Sequence, residues 1–132
     1  LSVAESSYDT WLDGYRLGVK GRKGSIYVEG SVLAFICDTR IMKVTDGKSS
    51  LSTAMKILWE RFGKARIGIV ADAYWDVLAE VAGERLDDLR EKYADGTEDT
   101  WDDLVECMHA NGLALTKSLD EKGHVKATLH PV

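Results

Sequence analysis

The longest apolar run in the chain begins at Ser25 and carries no charge in its second half, up to Cys37. Apolar side chains then continue to Val44 and stop before Asp46-Gly47, a pair that often ends helices. A helix that is apolar on every side must be buried on every side. We therefore predict a central buried helix over Ser25–Val44, with the remaining elements packed around it.

Other segments show apolar residues at steps of three and four, the spacing of one helical face. The clearest of them runs from Leu51 to Phe62, capped by Ser49 or Ser50 and ended by Gly63, and this spacing predicts core positions. The residues from 64 to 71 lack such spacing, so we predict an extended connector there. Three apolar sets indicate the expected core faces: Val3, Ala4, Tyr8, Trp11, Leu12 and Tyr15; Leu51, Ala54, Met55, Leu58, Trp59 and Phe62; and Trp101, Leu104, Val105 and Met108.

The pattern predicts about six helices in all. Beyond the two described above, they are expected from Ser2 to about Tyr15 or Leu17, from a cap at Asp72 to Ala82, over a short stretch from Leu86 to Tyr93, and from Trp101 to Met108 with Thr100 as cap.

Residues 113–132 change to a period of two, with Leu113 and Leu115 on one side and Val125, Ala127 and Leu129 after a glycine turn. Such alternation predicts a β-hairpin. The expected fold class is therefore mainly α, a bundle of about six helices with a short C-terminal β-hairpin. Residues 1–112 form the helical part, and residues 113–132 form a hairpin tail or the start of a further region.

Composition narrows the function classes. The chain has 132 residues and a formal net charge of -5, with no cluster of lysine and arginine, so nucleic-acid binding has little support. No apolar segment approaches the roughly 20 residues of a membrane span, and no signal peptide is visible, so we expect a soluble protein. Cys37 and Cys107 lie on apolar faces and are expected to be buried free thiols. Because the chain begins at Leu1, we expect a piece of something longer.

Catalytic motifs are sparse. The histidines His109, His124 and His130 do not form a zinc-ligand pattern, and H-E-x-x-H is absent. The glycine-rich stretch 18–24 lacks the spacing of a phosphate-binding loop. Paired acids such as Asp102-Asp103 fall at helix starts, where the helix dipole explains them. The residues alone indicate a helical domain without a self-contained active site.

Five segments form a recognisable pattern by their order and spacing: SVAESSYDTW at 2–11, IYVEGSVLA at 26–34, SSLSTAM at 49–55, LDDLREKYADGTED at 86–99 and NGLAL at 111–115. Together they resemble the glycyl aminopeptidase family. Its members are zinc metallopeptidases of the thermolysin-like (gluzincin) class that often carry a PDZ domain. The similarity covers the chain to about residue 118.

The resemblance implies a helical subdomain that walls the active-site cleft, with residues 113–132 leading toward a PDZ-like region. It also implies that Tyr27, three residues before Gly30, donates its hydroxyl to the tetrahedral intermediate, while Gly30 admits a neighbouring segment. The zinc and its ligands would belong to an N-terminal half that is not in this sequence. The expected partners are that half and a peptide substrate. We expect the chain alone to bind no zinc, to be inactive and to self-associate.

Two alternatives stay open at this stage. Tyr27 could instead be a core aromatic at a helix start. The whole chain could be a non-catalytic interaction module derived from the same fold. The family usually has lysine at the position of Glu29 and alanine at that of Ser31, and the charge reversal favours the second alternative.

Overall fold

The structure is a computed structural model that describes residues 1–13 and 25–132, and in these ranges it is mainly helical with one antiparallel hairpin. This confirms the predicted fold class. The predicted end of the first helix and the glycine-rich stretch 18–24 lie outside the described residues. The elements are α1 (Val3–Asp13), α2 (Ile26–Val44), α3 (Leu51–Leu58), α4 (Ala71–Ala82), α5 (Asp87–Leu89), α6 (Trp101–Ala110), β1 (Leu113–Leu119) and β2 (Val125–Pro131).

The chain divides into two compact units, residues 1–99 and residues 100–132. The first unit contains α1 to α5, and the second contains α6 and the hairpin. Helix α6, which the sequence grouped with the other helices, therefore shares a unit with the strands.

Helix α2 is buried in its second half but not in its first turns. Leu33, Ile36 and Ile41 belong to the core, and Ile41 is fully enclosed. By contrast, the side chains of Tyr27 and Val28 are 61% and 64% exposed. Burial on every side is thus wrong for the start of this helix. The physical reason is that neighbouring residues cover only part of the first turn: Tyr27 and Val28 face outward, whereas the other residues of that turn are half-buried.

Helix α4 is the second centre of the core. Its buried side chains include Trp75 and Leu78, and it packs against both α2 and α3. It begins at Ala71 after Val70, so the predicted cap at Asp72 is wrong; the Asp72 carboxylate instead pairs with the Arg90 guanidinium at 2.8 Å. Gly83 ends the helix in the left-handed region (φ 77°), as glycine allows.

The start of α3 is fixed by two polar contacts. The Ser50 N–H donates to the Thr53 hydroxyl at 3.2 Å, and the Leu51 N–H donates to the Asp38 carboxylate of α2 at 2.8 Å. The cap at Ser50 is therefore confirmed. The contact with Asp38 satisfies one of the N–H groups that a helix start leaves unpaired.

The predicted core stripe of α3 is wrong for Met55 and Trp59, which are exposed, whereas Ala54 is buried. After Leu58 the helix widens into a π-helical turn, Trp59–Gly63, which changes the angular step between side chains. The Trp59 ring lies over Gly63, where an added Cβ would stand 3.0 Å from the ring atom Cζ3. A similar π-helical turn, Arg90–Ala94, follows α5.

Residues 64–66 form a turn in which Arg66 has φ 56°, and residues 67–70 are irregular, with an extended backbone at Val70. The predicted extended connector is therefore wrong for this turn and for Ala71, which begins α4.

Helix α1 begins with a reciprocal cap. The Ser2 N–H donates to the Glu5 carboxylate at 2.7 Å, and the Glu5 N–H donates to the Ser2 hydroxyl at 3.1 Å. This arrangement is the capping box that stabilises helix starts.

Two ion pairs on the surface of the first unit connect neighbouring elements. In each, an arginine guanidinium makes two hydrogen bonds to one carboxylate. Arg61 contacts Glu80 of α4 at 2.7 and 2.8 Å, and Arg40 of α2 contacts Asp88 of α5 at 3.0 and 3.3 Å. The hydrogen bonds from Arg61 hold the pKa of Glu80 below its ordinary value. Such exposed pairs add little stability but fix how neighbouring elements meet.

In the second unit, α6 packs against β1, and β1 pairs with β2 in the predicted hairpin. The register places Leu119 opposite Val125 and Leu115 opposite Leu129. The Lys117 ammonium lies 4.3 Å from the centre of the Trp101 ring, a cation–π contact. The predicted cap at Thr100 precedes the helix, but its side chain makes no capping hydrogen bond within the described residues.

Candidate functional site

Tyr27 occupies the second position of α2 and is more than half exposed. The alternative that it is a core aromatic is therefore wrong for this chain. Ser31 lies one turn after Tyr27, and its hydroxyl donates to the Tyr27 backbone carbonyl. The Ser31 hydroxyl is therefore already used within the helix. The buried second half of α2 anchors the turn that presents the phenol.

Gly30 lies beside Tyr27 on open surface. A Cβ placed on Gly30 would meet no atom within 4 Å outside its own helix backbone in the described chain. No described segment therefore requires a glycine at this position. The close approach at Gly30 that the resemblance implies is not made by residues 1–13 or 25–132.

Glu29 stands between these two residues and is half-buried. Its atom Oε2 is enclosed and has no hydrogen-bond partner among the described residues. An enclosed carboxylate oxygen without a donor costs free energy. The lysine-to-glutamate difference from the family pattern thus falls on a side chain whose polar group is incompletely satisfied.

Helix α1 also carries large exposed apolar side chains. Tyr8, Trp11 and Leu12 follow helical spacing and share one face, and Trp11 is 88% exposed. The sequence placed these residues on a buried face, which is wrong for the described structure. We call the exposed side chains Tyr8, Trp11 and Leu12 of α1 with Tyr27 and Val28 of α2 the aromatic face. A single sequence shows that such a face is apolar, but not what covers it.

Two surface depressions lie elsewhere in the first unit. A shallow groove of about 260 Å³ lies between α2 and α3 and is mostly apolar apart from Asp38, which already accepts the Leu51 N–H. A second depression, about 490 Å³, is lined by charged residues. There Arg85 pairs with Asp76 at 2.8 Å, and Arg90 pairs with Asp95 at 3.1 Å. Its charges are thus largely used in ion pairs.

The groups with potential metal or nucleophile chemistry are dispersed. Within residues 1–13 and 25–132, no group of three or more His, Cys, Asp or Glu side chains could hold a metal ion. His124 Nδ1 lies 3.3 Å from the Asp120 carboxylate, and His130 Nε2 lies 3.4 Å from the Thr116 hydroxyl. Cys37 and Cys107 are both buried thiols outside any disulfide, which confirms that prediction.

None of the helices in residues 1–13 and 25–132 combines the length and the apolar character that crossing a bilayer requires.

Comparisons with known proteins complete the description of the site. The chain matches no protein-family model, no curated protein and no solved structure.

Proposed function

We propose that this chain is the helical portion of a glycyl-aminopeptidase-like zinc metallopeptidase, in which it walls the active-site cleft and supplies Tyr27. The observation that carries the proposal is the placement of Tyr27. Tyr27 lies in the first turn of a helix whose later turns belong to the core, and the residue is 61% exposed. A group that must reach a substrate needs both properties, a rigid base and an accessible tip.

The chemistry assigned to Tyr27 follows from where charge develops during peptide hydrolysis. Attack on the scissile carbonyl produces an oxyanion, and a prepositioned O–H donor stabilises it more than the neutral substrate carbonyl. The first turn of a helix adds to this effect because its unpaired N–H groups and its dipole favour negative charge. In this role Tyr27 is a hydrogen-bond donor and does not become a nucleophile.

The exposed aromatic face supports the presence of a covering partner. Groups of large exposed apolar side chains, such as those at the start of α2 and along α1, are typical of surfaces that meet another protein part. We assign this cover to the catalytic half that would carry the zinc ligands. The apolar groove between α2 and α3 then extends the wall along which a peptide substrate would lie.

Zinc is not assigned to residues of this chain. The described residues bring together no group of three or more His, Cys, Asp or Glu side chains that could hold a metal ion, which supports assigning the zinc to another part of the proposed parent. The metal of the proposed parent would activate water and polarise the substrate carbonyl. In this proposal the chain contributes two things: the wall of the active-site cleft and the Tyr27 hydroxyl, which the helix holds in position. The chain alone is therefore proposed to hydrolyse no peptide.

The experiment compares the 132-residue chain with the longest reading frame that contains it in its source genome. We expect that frame to encode H-E-x-x-H upstream, and its product to release N-terminal glycine from peptides in the presence of zinc. The isolated chain, assayed with added zinc, should show no turnover. Turnover by the isolated chain, or a frame that adds no zinc-binding segment, would overturn the proposal.

A non-catalytic interaction module is the second candidate, and Glu29 is the observation that favours it. An acid in the same helical turn as Tyr27 opposes a nearby oxyanion electrostatically, and its enclosed oxygen lacks a partner among the described residues. In that case the longer product would bind peptide or protein without hydrolysing it. The same activity assay, combined with a peptide-binding measurement, separates the two candidates.

A further inference from the structure

We propose that two copies of this chain associate through the outer edge of β2, as antiparallel strands related by a two-fold axis at Ala127. Strand β2 is exposed along its whole length, whereas β1 packs against α6. An exposed edge strand presents unpaired N–H and C=O groups to which another strand can add. The assigned peptidase role does not enter this inference.

The hydrogen bonds at the two ends of the hairpin define its ladder. At the turn, the Asp120 N–H donates to the His124 carbonyl at 2.9 Å. At the other end, the Val132 N–H donates to the Gly112 carbonyl at 3.0 Å. Both pairs belong to the same alternating series, because bonded and non-bonded pairs alternate along an antiparallel ladder and the register is continuous between them.

The alternation then identifies the outward-facing groups of β2. Val125, Ala127 and Leu129 fall on the non-bonded positions of the hairpin. Their N–H and C=O groups point away from β1, so the hairpin ladder does not use them. They form a short row of three donors and three acceptors on the free edge.

A second copy of β2 complements this row completely. With the two-fold axis at Ala127, each Ala127 faces its counterpart, and Val125 of each copy faces Leu129 of the other. Every one of the three outward N–H groups then meets an outward carbonyl. The same three residues lie on one face of the sheet, so pairing also brings their apolar side chains together across the axis.

Charge supports the same register. On the opposite face, Lys126 of each copy faces Thr128 of the other, so the lysines are not directly opposed. Like charges placed directly opposite each other destabilise strand pairs, and this arrangement avoids them. A register centred one residue earlier would place the two Lys126 side chains directly across from each other.

Pro131 limits the outward hydrogen bonds of β2 to Val125, Ala127 and Leu129. A second copy of β2 therefore fits this edge better than a longer partner strand. Proline has no N–H, so β2 cannot donate an outward bond at this position. In the proposed register Pro131 faces Gly123, which lies in the turn (φ 79°) outside the strand. The missing donor therefore costs no hydrogen bond. Pairing of β2 with β2 uses this edge of both copies, so the contact joins two chains.

The first test measures molar mass by size-exclusion chromatography with light scattering over a wide concentration range. We expect a dimer for the wild-type chain and at least a tenfold higher dissociation constant for Ala127→Pro, which removes an outward N–H without breaking the hairpin ladder. Leu119→Pro is the matched control, because it places proline at a non-ladder position of β1. It should dimerise as the wild type does.

A cross-linking measurement tests the register without a proline. In the double variant Lys126→Cys/Thr128→Cys, each new thiol faces its partner across a non-bonded pair, about 4.5 Å between Cα atoms, which a disulfide can span. Lys126→Cys alone leaves only diagonal thiols, roughly 7–8 Å apart, which is too far. Mild oxidation should link the double variant into dimers and leave the single variant unlinked.

Three results would overturn the inference. They are a wild-type chain that stays monomeric at all concentrations, an Ala127→Pro variant that folds and dimerises like the wild type, and equal cross-linking of the single and double cysteine variants. The second result would direct attention to the aromatic face as the site of association.

Discussion

Replacement of Leu78 by alanine tests where the core of the first unit lies. The Leu78 side chain on α4 is 0% exposed, and the substitution removes three carbon atoms from it. At about 0.8 kcal/mol for each buried carbon, the lost transfer free energy is about 2.4 kcal/mol. The cavity left behind adds to this, because close-packed neighbours relax only partly, so we expect a loss of about 3 kcal/mol of unfolding free energy.

The matched control is Val28→Ala at the start of α2. The sequence pattern places Val28 in a fully buried helix, but its side chain is 64% exposed. Removal of two carbons that are only about one-third buried costs roughly 0.5 kcal/mol, and the better helix propensity of alanine offsets part of that cost.

Urea denaturation of the 132-residue chain, followed by circular dichroism at one fixed protein concentration, measures both changes. Fixed concentration matters because association shifts apparent stability. We expect the midpoint of Leu78→Ala to fall far below that of Val28→Ala, with similar slopes. Equal losses for the two variants would refute the placement of the core on α4 and the second half of α2.

Three further substitutions test local features of the first unit. Gly30→Ala should raise stability by about 0.5–1 kcal/mol, because the position is helical and open, and a lower thermal midpoint would contradict that openness. Gly96→Ala should lower the unfolding free energy by about 1–3 kcal/mol, because the new Cβ would stand 2.6 Å from the Lys92 carbonyl oxygen; an unchanged urea midpoint would contradict this contact. Arg61 lowers the pKa of Glu80, so the folded state gains stability above the unfolded pKa of Glu80 and loses it as pH falls through the lower folded pKa. The urea midpoints of the wild type and Glu80→Gln should therefore converge as the solution is acidified, and a constant difference would contradict the pairing.

The sequence was sufficient for the elements because their determinants are local. Helical spacing, the Ser50 cap and the glycine after Ala82 predicted α3 and α4 closely, and the period of two predicted the hairpin. Element starts were less certain, since Asp72 satisfies the pattern of a cap but is occupied by an ion pair with Arg90. A contact between residues far apart in sequence leaves no trace in local spacing.

Burial was harder to predict than helicity. Spacing alone placed Met55, Trp59 and Trp11 in the core, yet all three are exposed. An apolar face in the sequence predicts that other residues bury it. Those residues can lie outside the described part of the chain. For Trp59 the π-helical turn after Leu58 is a local cause of the exposure, because it changes the direction of the side chain. No residue type in that stretch predicts a change of helical step.

The candidate site was predicted only in part. The position of Tyr27 came from the resemblance, and its exposure could not be deduced from an apolar run that suggested burial. The enclosed oxygen of Glu29 was also beyond the sequence, because it depends on how the first turn of α2 meets its surroundings. Electrostatic consequences of that kind need coordinates.

The most direct test of the proposed role of this chain is the kcat of the longer zinc-loaded protein with Tyr27→Phe. Removal of one oxyanion donor typically lowers kcat by about 10²–10³-fold, so we predict a loss of that size with little change in KM or zinc content. Tyr74→Phe, which removes the same hydroxyl from a tyrosine whose pKa is raised by burial, is the control and should retain activity. A Tyr27→Phe enzyme with wild-type kcat would contradict the assignment.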